Sequence, residues 1–194
     1  MIKFVIFILI AYAIGSLSSA IIVCKLLKLP DPRTTGSQNP GTTNVLRIGG
    51  KIPAAMTLVG DIFKGIIPVM LAKAVGIDGF FLGLIAIAAL LGHIYPIYFG
   101  FKGGKGVATA LGACVGLSLL LGFAMIITWI IVAVALRYSS LAALVAAVLA
   151  PIYAAIFTQW GYFVPVLAIT AILIWRHWDN IARLRSGTET KIHL

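Results

Sequence analysis

The stretch FKGGKG, residues 101–106, separates two long apolar runs, residues 80–99 before it and residues 107–136 after it. Each run is long enough to cross a bilayer, because about 20 apolar helical residues span the hydrocarbon core. The three glycines let the backbone approach a ligand closely and direct several N–H groups at one point, and the two lysines add positive charge there. The stretch therefore predicts an anion-binding loop where lipid meets water.

The composition of the whole chain agrees with a membrane protein. Of 194 residues, 61% are hydrophobic and 10% are charged, which is more apolar surface than a soluble domain of this length can bury. We predict one domain, residues 1–194, that is an all-α integral membrane protein. Cys24 and Cys114 lie in or beside apolar runs, which favours small buried hydrophobic residues over a disulfide or a metal site.

The apolar runs predict a compact bundle of about seven transmembrane helices. Residues 2–24, 52–75 and 80–99 each suit one span. Residues 107–136 are flanked by basic residues at both ends, so an even number of crossings is expected, as two helices of about 15 residues each that turn near 116–122. Residues 139–175 divide at the sequence TQWG, residues 158–161.

Basic residues predict the orientation of this bundle. Twelve of the fifteen Lys and Arg residues fall on one predicted face, which the positive-inside rule places in the cytoplasm, with the N-terminus outside and the C-terminus cytoplasmic. They are Lys25, Lys28, Arg33, Arg47, Lys51, Lys102, Lys105, Arg137, Arg176, Arg183, Arg185 and Lys191. Three polar segments, residues 30–51, 100–106 and 175–194, should then meet on that face.

The first polar segment contains GSQNPGTTNVLR, residues 36–47. Ser37, Asn39 and Asn44 can donate or accept hydrogen bonds, and Arg47 can bind a phosphate through two parallel N–H groups. The alternative is an ordinary polar turn that leads into a capped helix.

The second polar segment runs from GHIYP, residues 92–96, through the glycine stretch and into a predicted helix N-terminus, which favours anions. Its candidate ligand residues are His93, Lys102, Gly103, Gly104, Lys105, Gly106 and Thr109. The Walker spacing is absent, so a nucleotide is not expected. The alternatives are close helix packing at the glycines and a histidine that is satisfied by a backbone carbonyl.

The third polar segment is RHWDNIARLRSGTE, residues 176–189. On a helix His177 and Asn180 share a face and could point into a site together with Arg183, whereas a cationic helix end at the headgroups is the alternative. Glu189 is expected to be a structural partner of nearby arginines rather than an acid catalyst.

Three further polar residues lie in or beside the predicted spans. Asp61 and Lys64 are three residues apart on one span, so they could pair with each other, with Asp61 structural, or Lys64 could face the substrate. Ser140 could cap a helix or reach the site. The few acidic residues form no cluster in the sequence, so neither a metal nor a cofactor is predicted.

The three segments, in this order in a small chain with several spans, resemble the PlsY-type bacterial acyl-phosphate:glycerol-3-phosphate acyltransferases. The quoted motifs are GSQNPGTTNVLR, GHIYPIYFGFKGGKGVAT and RHWDNIARLRSGTE. One departure is that Gln38-Asn39-Pro40 stands where the family more often has a glycine beside the asparagine, which leaves the backbone shape there open.

The resemblance implies a membrane enzyme that moves a fatty acyl group from acyl-phosphate to glycerol 3-phosphate, giving lysophosphatidic acid and phosphate, as a first step of phospholipid synthesis. It implies that Ser37, Arg47, His177 and Asn180 are needed for activity, that Gly103, Gly104 and Gly106 bind phosphate, and that Glu189 is mainly structural. We expect a monomer in the bacterial cytoplasmic (inner) membrane, in contact with membrane lipids and not with nucleic acid, with its active site facing the cytoplasm.

The donor is a mixed anhydride with a good leaving group, so positioning and charge neutralisation matter more than a strong nucleophile. Neither a Gly-x-Ser-x-Gly elbow nor a His-x4-Asp box is present. We therefore expect direct attack without an acyl-enzyme, with His177 or a substrate phosphate oxygen as the base. Two other classes stay open: a transporter of a phosphorylated solute, and a lipid-phosphate phosphatase or phosphotransferase.

Overall fold

The computed structural model describes residues 1–192, and these residues form helices and turns without any β-strand. The α-helices are α1 (Ile2–Gly15), α2 (Ser19–Leu26), α3 (Thr42–Gly49), α4 (Lys51–Ala74), α5 (Gly79–Ile94), α6 (Val107–Leu117), α7 (Leu119–Leu136), α8 (Ser139–Phe157), α9 (Phe163–Arg176) and α10 (Trp178–Arg185). Short 3-10 turns follow α5 at Ile97–Phe99 and precede α9 at Trp160–Tyr162. The all-α prediction is confirmed.

Five helical segments are long and apolar enough to cross a membrane: Ile2–Leu26, Lys51–Ala74, Gly79–Phe99, Leu119–Leu136 and Ser139–Phe157. A sixth is possible if Trp160–Arg176 and Trp178–Arg185, which meet at a bend of 59°, are one span. The chain is therefore a multi-pass membrane protein. The count of seven crossings and the orientation of the termini stay predictions.

The long apolar run 107–136 does divide into two helices, at Ser118 between α6 and α7. Ser118 has an extended backbone, and its hydroxyl accepts the N–H of Leu121, so it caps α7. A Cβ at Gly122 would lie 2.6 Å from the Cα of Val115, which shows that the two helices fold back on each other. The expected equal lengths were wrong: α6 has 11 residues and α7 has 18, because the capping serine lies near the start of the predicted turn.

The first predicted span is also interrupted, between α1 and α2. The Ser16 hydroxyl donates to the Tyr12 carbonyl at 2.8 Å, and the freed carbonyl of Leu17 accepts a hydrogen bond from Lys64 of α4 at 2.8 Å. A backbone break at this depth needs such a partner, because lipid offers no hydrogen bonds.

Close contact between α4 and α6 sets the position of the glycine segment. A side chain at Gly65 of α4 would clash with the Thr109 carbonyl, and one at Gly112 of α6 would clash with the Ile62 carbonyl. Small residues allow backbones to approach this closely in lipid. The first turn of α6 is thereby held beside the polar residues of α4.

Candidate active site

Gly104 is the residue at which the three polar segments meet. Its N–H donates to the His93 carbonyl at 3.3 Å, within the second segment. A Cβ at this position would lie 2.8 Å from the Pro40 carbonyl of the first segment. Its own carbonyl accepts a hydrogen bond from Nη2 of Arg176, in the third segment, at 3.3 Å. The segments that the sequence places at one end of the spans are therefore in contact.

Asn44 shapes the loop of the first segment. Its side chain is 1% exposed and donates to the carbonyls of Pro32 and Thr35, both at 2.9 Å, while its oxygen accepts the Ser37 N–H at 2.8 Å. Both amide hydrogens are used by the loop, so Asn44 holds the backbone that presents Ser37. Substrate contact by Asn44 itself stays a prediction.

Ser37 and Arg47 are exposed, and neither side chain makes a hydrogen bond or ion pair within residues 1–192. Asn39, two residues after Ser37, is half-buried. Gln38 has a left-handed backbone with φ of 56°, a conformation that favours glycine, at the position where the family more often has one. The loop therefore keeps a glycine-like shape with a glutamine in place. The guanidinium of Arg47, on α3, is available to an anion.

A second arginine, which the sequence did not single out, ties the first segment to the second. Arg33 forms an ion pair with Asp31 at 2.6 Å, and its Nη1 donates to the Phe99 carbonyl at 3.3 Å. The hydrogen bonds from Arg33 lower the pKa of the Asp31 carboxyl. The signal in the sequence was the Asp-x-Arg spacing, which is too common in loops to identify such a tie.

The glycines of the second segment pack closely rather than presenting all their N–H groups. The Gly103 N–H donates to the Ile94 carbonyl at 3.2 Å, and the Gly104 N–H is also used, as described above. Side chains at either position would clash with His93. Gly106, with φ of 88°, precedes α6, which has no side-chain cap. Two of the three glycine N–H groups therefore already have partners, and the first turn of α6 carries open backbone donors; phosphate binding by the glycines stays a prediction.

Lys105 connects this loop to the third segment. Its ammonium donates to the side-chain oxygen of Asn180, and the Asn180 amide donates to Glu189 at 2.6 Å. Burial, followed by the nearby positive charge of Arg183, lowers the pKa of Lys105 to about 8. Lys102, by contrast, is exposed.

Glu189 is the acceptor at the centre of the third segment. Ser140 of α8 donates to it at 2.6 Å, and Nε of Arg183 at 2.7 Å. Burial alone would raise the pKa of Glu189, but the hydrogen bonds from Ser140, Asn180 and Arg183 outweigh it, so the pKa is lowered. Glu189 therefore joins the C-terminal segment to α8 and α10.

His177 is buried at the bend between α9 and α10. Its Nδ1 lies 2.7 Å from the Leu173 carbonyl. Since a carbonyl only accepts, Nδ1 carries a proton, and Nε2 of the neutral ring is an acceptor. Nε2 has no hydrogen-bond partner among the residues that the structure describes, so it is the atom that could accept a proton from a substrate.

A separate buried polar cluster lies inside the bundle. Lys64 pairs with Asp61 at 2.8 Å and uses a second N–H for the break between α1 and α2. The His93 ring lies 3.2 Å from the Thr109 hydroxyl and 3.8 Å from the Asp61 carboxylate. Lys64 is 4% exposed, so its contacts agree with internal pairing, and a substrate contact by Lys64 or Thr109 stays a prediction.

The fold and the site together define a class: a multi-pass helical membrane protein with a cluster of cationic side chains where its three polar segments meet. The chain belongs to the glycerol-3-phosphate acyltransferase family, whose family model matches residues 5–187.

Individual relatives agree over nearly the full chain. A glycerol-3-phosphate acyltransferase from Coxiella burnetii is 53% identical over 191 residues, covering 98% of this chain and 99% of its own. One from Francisella tularensis subsp. holarctica is 55% identical over 183 residues, covering 94% of this chain and 89% of its own.

Two solved structures are also similar. The crystal structure of PlsY (YgiH), an integral membrane glycerol 3-phosphate acyltransferase, in its glycerol 3-phosphate form has a TM-score of 0.92 at 36% identity, covering 98% of this chain and 96% of that one. Its lysophosphatidic acid form has a TM-score of 0.90 at the same identity, covering 98% and 95%. The predicted resemblance and the acyltransferase class are confirmed.

Proposed function

We propose that this glycerol-3-phosphate acyltransferase uses acyl-phosphate as its donor. A hydroxyl oxygen of glycerol 3-phosphate attacks the acyl carbon, the bond from that carbon to the phosphate oxygen breaks, and the hydroxyl proton passes to a base. The products are lysophosphatidic acid and inorganic phosphate, in the first step of phospholipid synthesis.

The observation that carries this proposal is the meeting of the three polar segments at Gly104. It brings three cations into one region: Lys105 donates to Asn180, Arg176 to the Gly104 carbonyl and Arg183 to Glu189. Two phosphorylated substrates bring several negative charges, so a site with an excess of positive charge fits both of them. The apolar helices beside it leave the acyl chain in lipid.

We assign roles according to which groups are free. Arg47 and Lys102, which are exposed, neutralise phosphate, and Ser37 and Asn39 orient it. The open N–H groups of the first turn of α6, together with Lys105, bind the second phosphate. Asn180 holds Lys105, Glu189 holds Asn180, and the remaining donors of Arg183 face the substrate.

Proton removal has two candidate bases, the free Nε2 of His177 and a phosphate oxygen of the substrate itself, which ionises near neutral pH. Direct attack by the hydroxyl needs no acyl-enzyme. If His177→Gln keeps near-normal turnover, the histidine base is excluded and the substrate-assisted route is favoured. Trapping of an acylated serine or cysteine would overturn both routes.

The central experiment supplies purified protein with acyl-phosphate and labelled glycerol 3-phosphate and measures labelled lysophosphatidic acid. Acyl-CoA in place of acyl-phosphate should give no product, and Arg47→Gln should reduce turnover at least about a hundredfold, the size expected when a preorganised phosphate ligand is lost. Product from acyl-CoA alone would contradict the assigned donor.

We also propose that the protein lies in the bacterial cytoplasmic membrane as a monomer, with its C-terminus and active site inside. The clustering of basic residues on one face supports this orientation. A reporter fused to the C-terminus should be active only in the cytoplasm. Its activity on the outer side would reverse the topology and leave the site facing away from cytoplasmic substrates.

A further inference from the structure

Arg176 stands at the junction of α9 and the third polar segment, where its sequence position suggested a cation reaching toward lipid headgroups. The contacts differ from that expectation. The side chain is half-buried, its Nη2 donates to the Gly104 carbonyl at 3.3 Å, and its Nε is fully buried with no hydrogen-bond partner among the described residues. Its guanidinium carbon lies 5.6 Å from the centre of the Trp175 ring. The guanidinium is therefore directed at the glycine segment.

We propose that Arg176 is a positioning residue that fixes the glycine segment for phosphate binding, an inference that rests on the proposed function. Arg176 supplies a hydrogen bond that attaches the Gly104 carbonyl, within the second segment, to the end of α9. The donor is a charged guanidinium, so the positive charge of Arg176 lies beside the carbonyl of the glycine segment.

The attachment determines the placement of Lys105. The next residue after Gly104 carries the ammonium that reaches Asn180, one turn beyond Arg176 in the chain. A Cβ at Gly104 would clash with the His93 ring and lie 2.8 Å from the Pro40 carbonyl, so there is little space around this residue on that side. Among the described residues, Arg176 is the only residue of the third segment that donates a hydrogen bond to the Gly104 carbonyl. Without Arg176 this bond is lost, and the loop can move away from α10.

Arg176 also acts on Lys105 through its charge. Four charged groups surround the Lys105 ammonium: Arg183 and Glu189, then Asp179 and Arg176. Burial is the main cause of its low pKa, and the positive charge of Arg176 lowers that pKa further. Removing this charge raises the pKa of Lys105, so the ammonium persists to higher pH.

The experiment compares the full-length wild type with Arg176→Lys, Arg176→Gln and, as a matched control, Arg185→Gln, which removes an exposed arginine of α10. It measures KM for glycerol 3-phosphate, kcat, and the alkaline limb of kcat/KM. Arg176→Gln should raise KM about tenfold or more, the effect of one lost charge-assisted hydrogen bond, and should move the alkaline limb to higher pH. Arg176→Lys keeps the charge but loses the guanidinium, so it should also raise KM. The control should change neither.

The proposal is overturned if Arg176→Gln keeps KM within twofold of the wild type, or if Arg185→Gln raises KM equally. The last result would restore the headgroup interpretation. Should Arg176→Gln fail to fold, the lysine variant still decides, since KM equal to that of the wild type would refute positioning through the guanidinium. The rise in melting temperature on adding glycerol 3-phosphate measures binding without turnover. If the wild type binds glycerol 3-phosphate but makes no product, the proposed reaction is contradicted and the positioning role of Arg176 is not.

Discussion

Replacing Glu189 with alanine should destabilise the fold by about 3–4 kcal/mol. Ser140 and Asn180, which donate to this carboxylate, are 7% and 6% exposed, and leaving two buried donors unpaired costs about 1.5 kcal/mol each. The side chain of Arg183 is 43% exposed, so its ion pair adds less than about 1 kcal/mol. For a chain of this size each kcal/mol lowers the melting temperature by about 2–4 °C, so we expect a fall of about 10 °C.

The assay is thermal unfolding of purified protein in detergent at a fixed scan rate, since membrane proteins often unfold irreversibly. Asp179→Asn is the control, because it removes an exposed acidic side chain from the same helix, α10. Ser140→Ala, measured alone and combined with Glu189→Ala, completes a double-mutant cycle that isolates the coupling between the two partners. A fall of less than about 2 °C, or one no larger than that of the control, would refute the reasoning.

The pH dependence gives an independent check on Glu189. Its pKa is lower in the folded protein than in the unfolded chain, so its stabilising effect is fully present above the ordinary pKa of a glutamate. The effect is lost as the pH falls through the lower, folded pKa. The stability difference between the wild type and Glu189→Ala should therefore shrink in acid, and a constant difference would contradict the role of the ionised carboxylate.

Three more outcomes are expected. KM for glycerol 3-phosphate should rise as the pH passes about 8, because Lys105 then loses its proton, and in Lys105→Arg this rise should move to much higher pH; an unchanged pH profile would exclude Lys105 from binding. Gly112→Ala should cost about 1–3 kcal/mol through its clash with α4 and lower the melting temperature by several degrees, whereas an unaltered melting curve would show that the helices can separate freely. Asn44→Ala should reduce kcat/KM at least about tenfold, because the loop that presents Ser37 loses three hydrogen bonds, and wild-type kinetics would show that the loop holds its shape without them.

Sequence reasoning located the candidate site by segment but not by contact. It predicted the three motifs at one end of the bundle, because apolar length marks the membrane spans and basic residues mark the loops on one side of the bilayer. It could not assign Lys64, because internal pairing and substrate binding require the same residue at the same spacing. The break at residues 16–18 was missed for a similar reason: an apolar run looks continuous when its interruption is satisfied by a distant lysine.

The sequence by itself determined that this chain is a helical, multi-pass membrane protein, where most of its spans begin and end, and to which family it belongs. These properties depend on the lengths of the apolar runs and on short motifs in a fixed order along the chain. Both can be recognised from residues that are neighbours in the sequence. Only the tertiary structure decided that Arg176 holds Gly104, that Lys105 meets Asn180 and that Ser140 meets Glu189. Those partners lie 72, 75 and 49 residues apart, and packing of the helices, not any local pattern, brings their polar atoms within hydrogen-bond distance.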